Sequence, residues 1–212
     1  MIATNTWYTV RKQSLAVAAR DAGFDLAVYD QYSRGVQVEL RKRTIKHIMH
    51  NIEYSFSEQV DSDLSDLTQG VYVIALSNPL TVQYKIKTSE IIYIGLGNVK
   101  NRIEGHFERS LFDFMQSLSG ADFDFKFAYP HLKYHTDYYK HVEYNMLEYF
   151  RKSAGNLPLL NSNAGSDRGI ASDDDWWVSP LKGAGKKPRW ALTALKGSGF
   201  QRLDSRKAEA DE

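Results

Sequence analysis

Two β-rich runs, GVYVIALS from Gly70 and EIIYIG closing at Gly95, lead directly into a stretch with helical spacing, and this pairing limits what the chain can fold into. Asn98 stands where a helix N-cap belongs, and Val99, Ile103, Phe107, Leu111, Phe114, Met115 and Leu118 follow at intervals of one helical face. Between the runs, breaks at Asn78-Pro79 and Thr88-Ser89 flank LTVQYKIK, where Val82, Tyr84 and Ile86 alternate, so the spacing predicts a hairpin with an extra strand or a long loop. DFDFKFAY then puts Phe123, Phe125, Phe127 and Tyr129 on one face of a third main strand. A second helix is expected from near Thr136 to a break at Gly155, with Tyr139, Val142, Met146 and Phe150 as its apolar stripe. The order implies an α+β fold: a small antiparallel three-stranded sheet flanked by helices.

That unit occupies about residues 67–163, leaving an N-terminal extension over 1–66 and a basic C-terminal extension over 164–212. In the first extension, SLAVAARDAGF reads as a short helix, GVQVEL (Gly35 to Leu40) alternates like a strand, and Ile45, Ile48, Ile52 and Phe56 return to helical spacing. SEQVDSDLSDLTQ, acidic and Ser-rich, reads as a linker, which places a boundary near 66.

Total charge excludes nothing about an acidic partner, because 27 basic residues face 26 acidic ones in 212. Placement carries more information. Arg41, Lys42, Arg43 and Lys46 lie in a basic run that is either a solvated helix face or a phosphate-contacting one. From Lys182 to Lys207 eight basic residues meet one acid, and Lys186, Lys187 and Arg189 beside Trp190 fit either a solubilising tail or one that tracks a phosphate backbone. With no cysteine, disulfides, thiolate zinc sites and a Cys nucleophile are excluded. No run is long and apolar enough for a bilayer, so a cytoplasmic protein with no membrane partner is expected.

Arg102 and His106 are four residues apart and so share a helix face close to Tyr93. The guanidinium fork suits a phosphate, and His106 is either a relay group or a solvent-facing helix histidine. Tyr72 is either core packing or part of a site. On the later helix Glu143 and Glu148 compete as a metal carboxylate, and Glu148 has Arg151 and Lys152 within pairing distance. Asn161, with Asn163 as the register alternative, is either a turn residue or a polar group of the site.

Gly70-Val71-Tyr72, Tyr93-Ile94-Gly95, Arg102, His106, Glu143 and the Pro158-Leu159-Leu160-Asn161 ending, in that order, resemble the signature of the GIY-YIG nuclease superfamily. The resemblance covers about residues 68–163. It departs from the family's pattern in Val71, in Leu96 where many members carry Lys, and in the long interval between the two tyrosines. It implies a catalytic set of Tyr72, Tyr93, Arg102, His106, Glu143 and Asn161, with Tyr93 as the base, Tyr72 hydrogen-bonded near the nucleophile, and Asn161 on the phosphate side. Glu143 matches the family's Glu-x-x-apolar-apolar pattern and would hold Mg²⁺ or Mn²⁺, a sparse single-carboxylate site suited to a hydrated ion. The activity implied is metal-dependent hydrolysis of double-stranded DNA, first as a site-specific restriction endonuclease. A homing, mobile-element or repair-type nuclease, or a silent DNA-binding module, are the alternatives. A two-fold symmetric target would favour a homodimer on DNA.

Overall fold

The computed structural model describes residues 2–118, 121–172, 174–182 and 190–193. Its centre is an antiparallel sheet of four strands in the order β1 (Trp7–Ser14), β6 (Asp122–Ala128), β2 (Gly70–Leu76), β5 (Ile91–Gly97). The three expected strands lie side by side, and the fourth, β1, comes from the segment expected to be an extension. Trp7 to Ser14 does not read as a strand because its alternation is interrupted: the register with β6 shifts between Val10 and Gln13, and Lys12 there has φ of 55°. A second sheet joins β3 (Leu80–Gln83) to β4 (Thr88–Ser89) and, in parallel, to β7 (Trp190–Leu192).

Register decides which side chains share a face. Tyr72 lies opposite Phe127 and Gly95, Ile74 opposite Phe125 and Tyr93, and Val10 opposite Phe125, so these point to one side. That side is covered by α1 (Leu15–Asp21), by α2 (Arg34–Val60), whose Phe56 meets Tyr8 and Phe127 edge-on at 5.7 Å each, and by α3 (Val99–His106). A π-helical turn (Phe107–Leu111) and α4 (Phe112–Ser117) continue from α3. Helix α5 (Tyr138–Ala154) packs on β5 and β2. All seven residues of β2 are buried, as a central strand covered on both faces requires.

Helix α2 corrects two sequence expectations. Gly35 to Leu40 is helical, and its alternation has no buried face to serve, since Val36 and Val38 are 43% and 49% exposed. The helix is anchored through Thr44 to Val60 and elongates backward from there, because adding a turn to an existing helix outweighs a local β preference. The supposed linker is also ordered: α2 runs to Val60, a short 3₁₀ turn (Leu64–Asp66) is capped by Asp63, and Leu64 and Leu67 are buried. One apolar cluster therefore crosses residue 66, joining Ile48, Ile52 and Phe56 to Phe107, Phe125 and Phe127. No helix among the described residues is long and apolar enough to cross a membrane.

Candidate active site

The strand β5 ends at Gly97, whose φ of +114° turns the chain, and Asn98 caps α3 by accepting from the Asn101 amide at 3.1 Å. Two close approaches pull this unit together. A Cβ on Gly70 would stand 2.5 Å from Val99 Cγ2, and one on Gly95 would stand 2.5 Å from Tyr93 Cε1 and 2.6 Å from the Tyr72 hydroxyl oxygen. Gly95 is thus the floor across which both phenol rings lie. Their centroids are 5.8 Å apart, and the His106 ring meets Tyr93 edge-on at 4.3 Å. The Tyr72 hydroxyl and His106 Nε2 are hydrogen-bonded at 2.8 Å.

A cleft of about 400 Å³ opens beside these rings, lined by Tyr93, Arg102, His106 and Arg109 on one wall and by Glu143, Asn161 and Gly165 on the other. The charge of Arg102 acts on Tyr72, Tyr93, His106 and Glu143 alike, so four of the expected residues surround a fifth. Asn161 holds the free edge of β5: its Oδ1 accepts from the Ile94 amide at 2.9 Å, and its Nδ2 donates to the Ile94 carbonyl at 2.8 Å. Together with the Leu160 amide bond to the Ile92 carbonyl, this continues the sheet by one more partner and brings the 161–165 loop over the cleft. Asn163 lines the cleft as well.

Burial dominates the electrostatics. It raises the Glu143 carboxyl to about 7, against the opposing pull of Arg102. It lowers His106 to about 4, helped by the charges of Arg109 and Arg102, so the ring is neutral at physiological pH. It raises Tyr72 well above the ordinary phenol value. Tyr93 is also raised by burial, although the Tyr72 hydroxyl and the Arg102 charge pull it down. The depressed phenol that a base role at Tyr93 calls for is therefore not produced by the protein's own groups.

Glu143 has no hydrogen bond or ion pair among the described residues, and its Oε2 faces Gly165, where a Cβ would stand at 3.0 Å. Glu148 is bound to Arg151 at 2.6 and 3.0 Å, as its spacing implied. No group of three or more His, Asp or Glu that could hold a metal occurs among the described residues. A half-buried, unpaired carboxylate open to a cleft with room for several waters fits a single hydrated Mg²⁺ or Mn²⁺, because a cation reverses the burial penalty that Glu143 carries.

The basic run of α2 lies elsewhere. Lys42 and Lys46 border a larger groove, about 670 Å³, with Lys100, Glu104 and Glu108 on its other side. Those three α3-side residues face away from Arg102 and His106, being half a turn off around the helix. Arg43 pairs with Glu39 at 3.2 Å. Arg41 also lines that groove, and its guanidinium bonds Asp113 at 2.7 Å and lies over the Phe112 ring at 4.7 Å. Lys186, Lys187 and Arg189 lie outside the described residues, and Trp190 beyond them is 68% exposed on β7.

Arg109, Ser110 and Gly165 line the cleft without having been singled out. Arg109 had a readable signal, three residues after His106 and seven after Arg102, whereas nothing marked Gly165 beyond its residue type. No protein-family model matches the chain, no curated protein matches it, and no solved structure matches it.

Proposed function

We propose that the chain is a metal-dependent endonuclease of the GIY-YIG type, hydrolysing phosphodiesters in double-stranded DNA at specific sites as a restriction enzyme in the cytoplasm, with two copies on a symmetric target. The observation that carries the reading is the convergence of Tyr93, Arg102, His106 and Glu143, from β5, α3 and α5, on one cleft beside the stacked tyrosines. The contiguous strands β6, β2 and β5 then correspond to the family's sheet.

Hydrolysis needs a proton acceptor for the attacking water, positive charge for the transition state and help for the leaving alkoxide. Arg102 supplies a cation in the cleft; its Nε donates to the Leu96 carbonyl at 3.4 Å, which leaves the terminal Nη edge for phosphate oxygens. Tyr93 rests as a phenol, and His106 rests as a neutral ring joined to Tyr72. As the Tyr93 oxygen takes a proton from water, its own proton can pass through the Tyr72 hydroxyl, which is hydrogen-bonded to Tyr93 and to His106, to His106 Nε2. A phosphate between Arg102 and His106 favours that transfer, because its negative charge offsets the arginine charges that add to burial in holding His106 deprotonated. Glu143 would hold the Mg²⁺ or Mn²⁺, which would supply further positive charge for the transition state. Asn161 keeps β5, and with it Tyr93, in place.

Plasmid incubated with Mg²⁺ and then with EDTA tests the reading. Discrete fragments with Mg²⁺ and none with EDTA are expected. DNA binding without cleavage under Mg²⁺ or Mn²⁺ would leave a binding module instead.

A further inference from the structure

We propose that Arg109 is a second phosphate-contacting cation of the cleft, aimed there by the π-helical turn that Arg41 holds. The inference rests on the nuclease reading for its ligand class, the sugar-phosphate backbone of DNA, and assigns Arg109 the phosphate next to the one at Arg102.

The helix from Asn98 widens into π geometry over Phe107–Leu111, directly after His106. Such a turn breaks the usual ladder, and π segments within helices recur at functional sites. Here the carbonyls of Phe107, Glu108 and Arg109 all accept from Arg41 Nη2, at 3.0, 3.0 and 3.2 Å. The other arm of that guanidinium holds Asp113 at 2.7 Å, and its face covers Phe112. A planar fork can gather three carbonyls and a carboxylate at once, and an ammonium cannot reproduce that geometry.

The turn is two-sided. Phe107 and Leu111 are buried in the core, while Arg109 and Ser110 are exposed and line the cleft with Arg102, His106 and Glu143. Arg109 Nε donates to the Gly105 carbonyl at 2.9 Å, so the side chain lies back along α3. Gly105 permits this, since a Cβ there would stand 3.2 Å from Arg109 Nη2. No carboxylate pairs with Arg109 among the described residues, and Asp113, the nearby acid, is held by Arg41. Two arginines converging on one cleft repel each other until an anion arrives, and a nucleic-acid strand brings successive phosphates.

Full-length wild type, Arg109→Ala, Arg109→Lys, Arg41→Lys, Arg41→Met and the Arg41→Met/Arg109→Ala double variant are compared for binding to a short DNA duplex over a range of salt, with Ca²⁺ replacing Mg²⁺. Losing one phosphate contact should flatten the slope of log affinity against log salt by about 0.9. Arg109→Ala is expected to show that loss with its melting temperature unchanged, and Arg109→Lys to retain the wild-type slope. Arg41→Met should reproduce the Arg109→Ala slope, and adding it to Arg109→Ala should change the slope no further. Arg41→Lys keeps the charge and tests the same point if Arg41→Met does not fold: it too should lose the contact.

A wild-type slope in Arg109→Ala overturns the proposal. So does an Arg41 effect that adds to that of Arg109, which would make Arg41 a DNA contact in its own right. Duplex binding by a wild type that never cleaves plasmid would sink the nuclease reading while the slopes still decide Arg109. A wild type that binds no duplex overturns both.

Discussion

At the scale of single residues, Glu143 is held at a cost to stability. Its carboxyl is raised to about 7 by burial, so ionising it in place costs about 3–4 kcal/mol before partial solvent access is allowed for, and less once it is. The folded state binds this proton more tightly than the unfolded chain. Stability is therefore unaffected below the ordinary carboxylate range, falls as pH rises toward about 7, and carries the full penalty above it. Glu143→Gln in EDTA at pH 8 should raise the melting temperature by a few degrees, about 1–2 kcal/mol, with no gain at pH 4 and with cleavage abolished. Equal gains at both pH values would show that ionisation is not the cause. The same proton competes with the metal. At low Mg²⁺ cleavage should rise with pH through about 7, and more Mg²⁺ should move that rise to lower pH; a limb indifferent to Mg²⁺ would place the titrating group elsewhere. His106 sets no limb there, because its neutral form prevails down to about 4; a ring titration followed by NMR in free protein should show a midpoint below 5.

At the scale of elements, glycines and caps position the site, and they were the parts most legible from residue type. Asn98 capping α3 and the apolar spacing from Val99 through Met115 follow from local rules, and each is present. What could not be read was decided at a distance. Gly35 to Leu40 has a strand's alternation but extends a helix anchored by Thr44 to Val60 beyond it, and the π turn depends on Arg41, 66 positions before the Phe107 carbonyl it binds. Gly95 and Gly35 give a contrast that tests this account. Gly95→Ala inserts a methyl against both phenol rings and should cost about 1–3 kcal/mol with a larger loss of cleavage, since Tyr72, Tyr93 and His106 must all shift. Gly35→Ala, with open space around it at the exposed start of α2, should stabilise by up to about 1 kcal/mol and leave cleavage alone. Urea midpoints that fail to separate the two substitutions would mean the rings do not rest on Gly95.

At the scale of the molecule, the motif residues between Gly70 and Asn161 mark where the candidate cleft is built, but not the limits of the folding unit. Residues 1–66 contribute the strand β1 to the edge of β6 and bring Val10, Ile48, Ile52 and Phe56 to the face that carries Tyr72 and Phe125. Composition hid this, since a basic run and an acidic run on either side of Ile48 look like solvated flanks, while the decisive apolar residues are spread one per turn. Removing 1–66 would expose Phe123, Phe125, Phe127 and Phe107, each now fully buried. At about 1.5–3 kcal/mol for each such side chain, the loss approaches the whole stability of an ordinary domain before the missing β1 hydrogen bonds are counted. A fragment of residues 67–212 is therefore expected to lack a cooperative urea transition and a near-UV signal, even though it contains every residue of the candidate site. A fragment of 1–193 should retain both, because it keeps β1, α2, α5 and the strand β7 that pairs with β3. A cooperative transition in 67–212 with an undiminished denaturant slope would make the first 66 residues a true appendage, and the cleft would then have to be held by β6, β2, β5 and α5 without them.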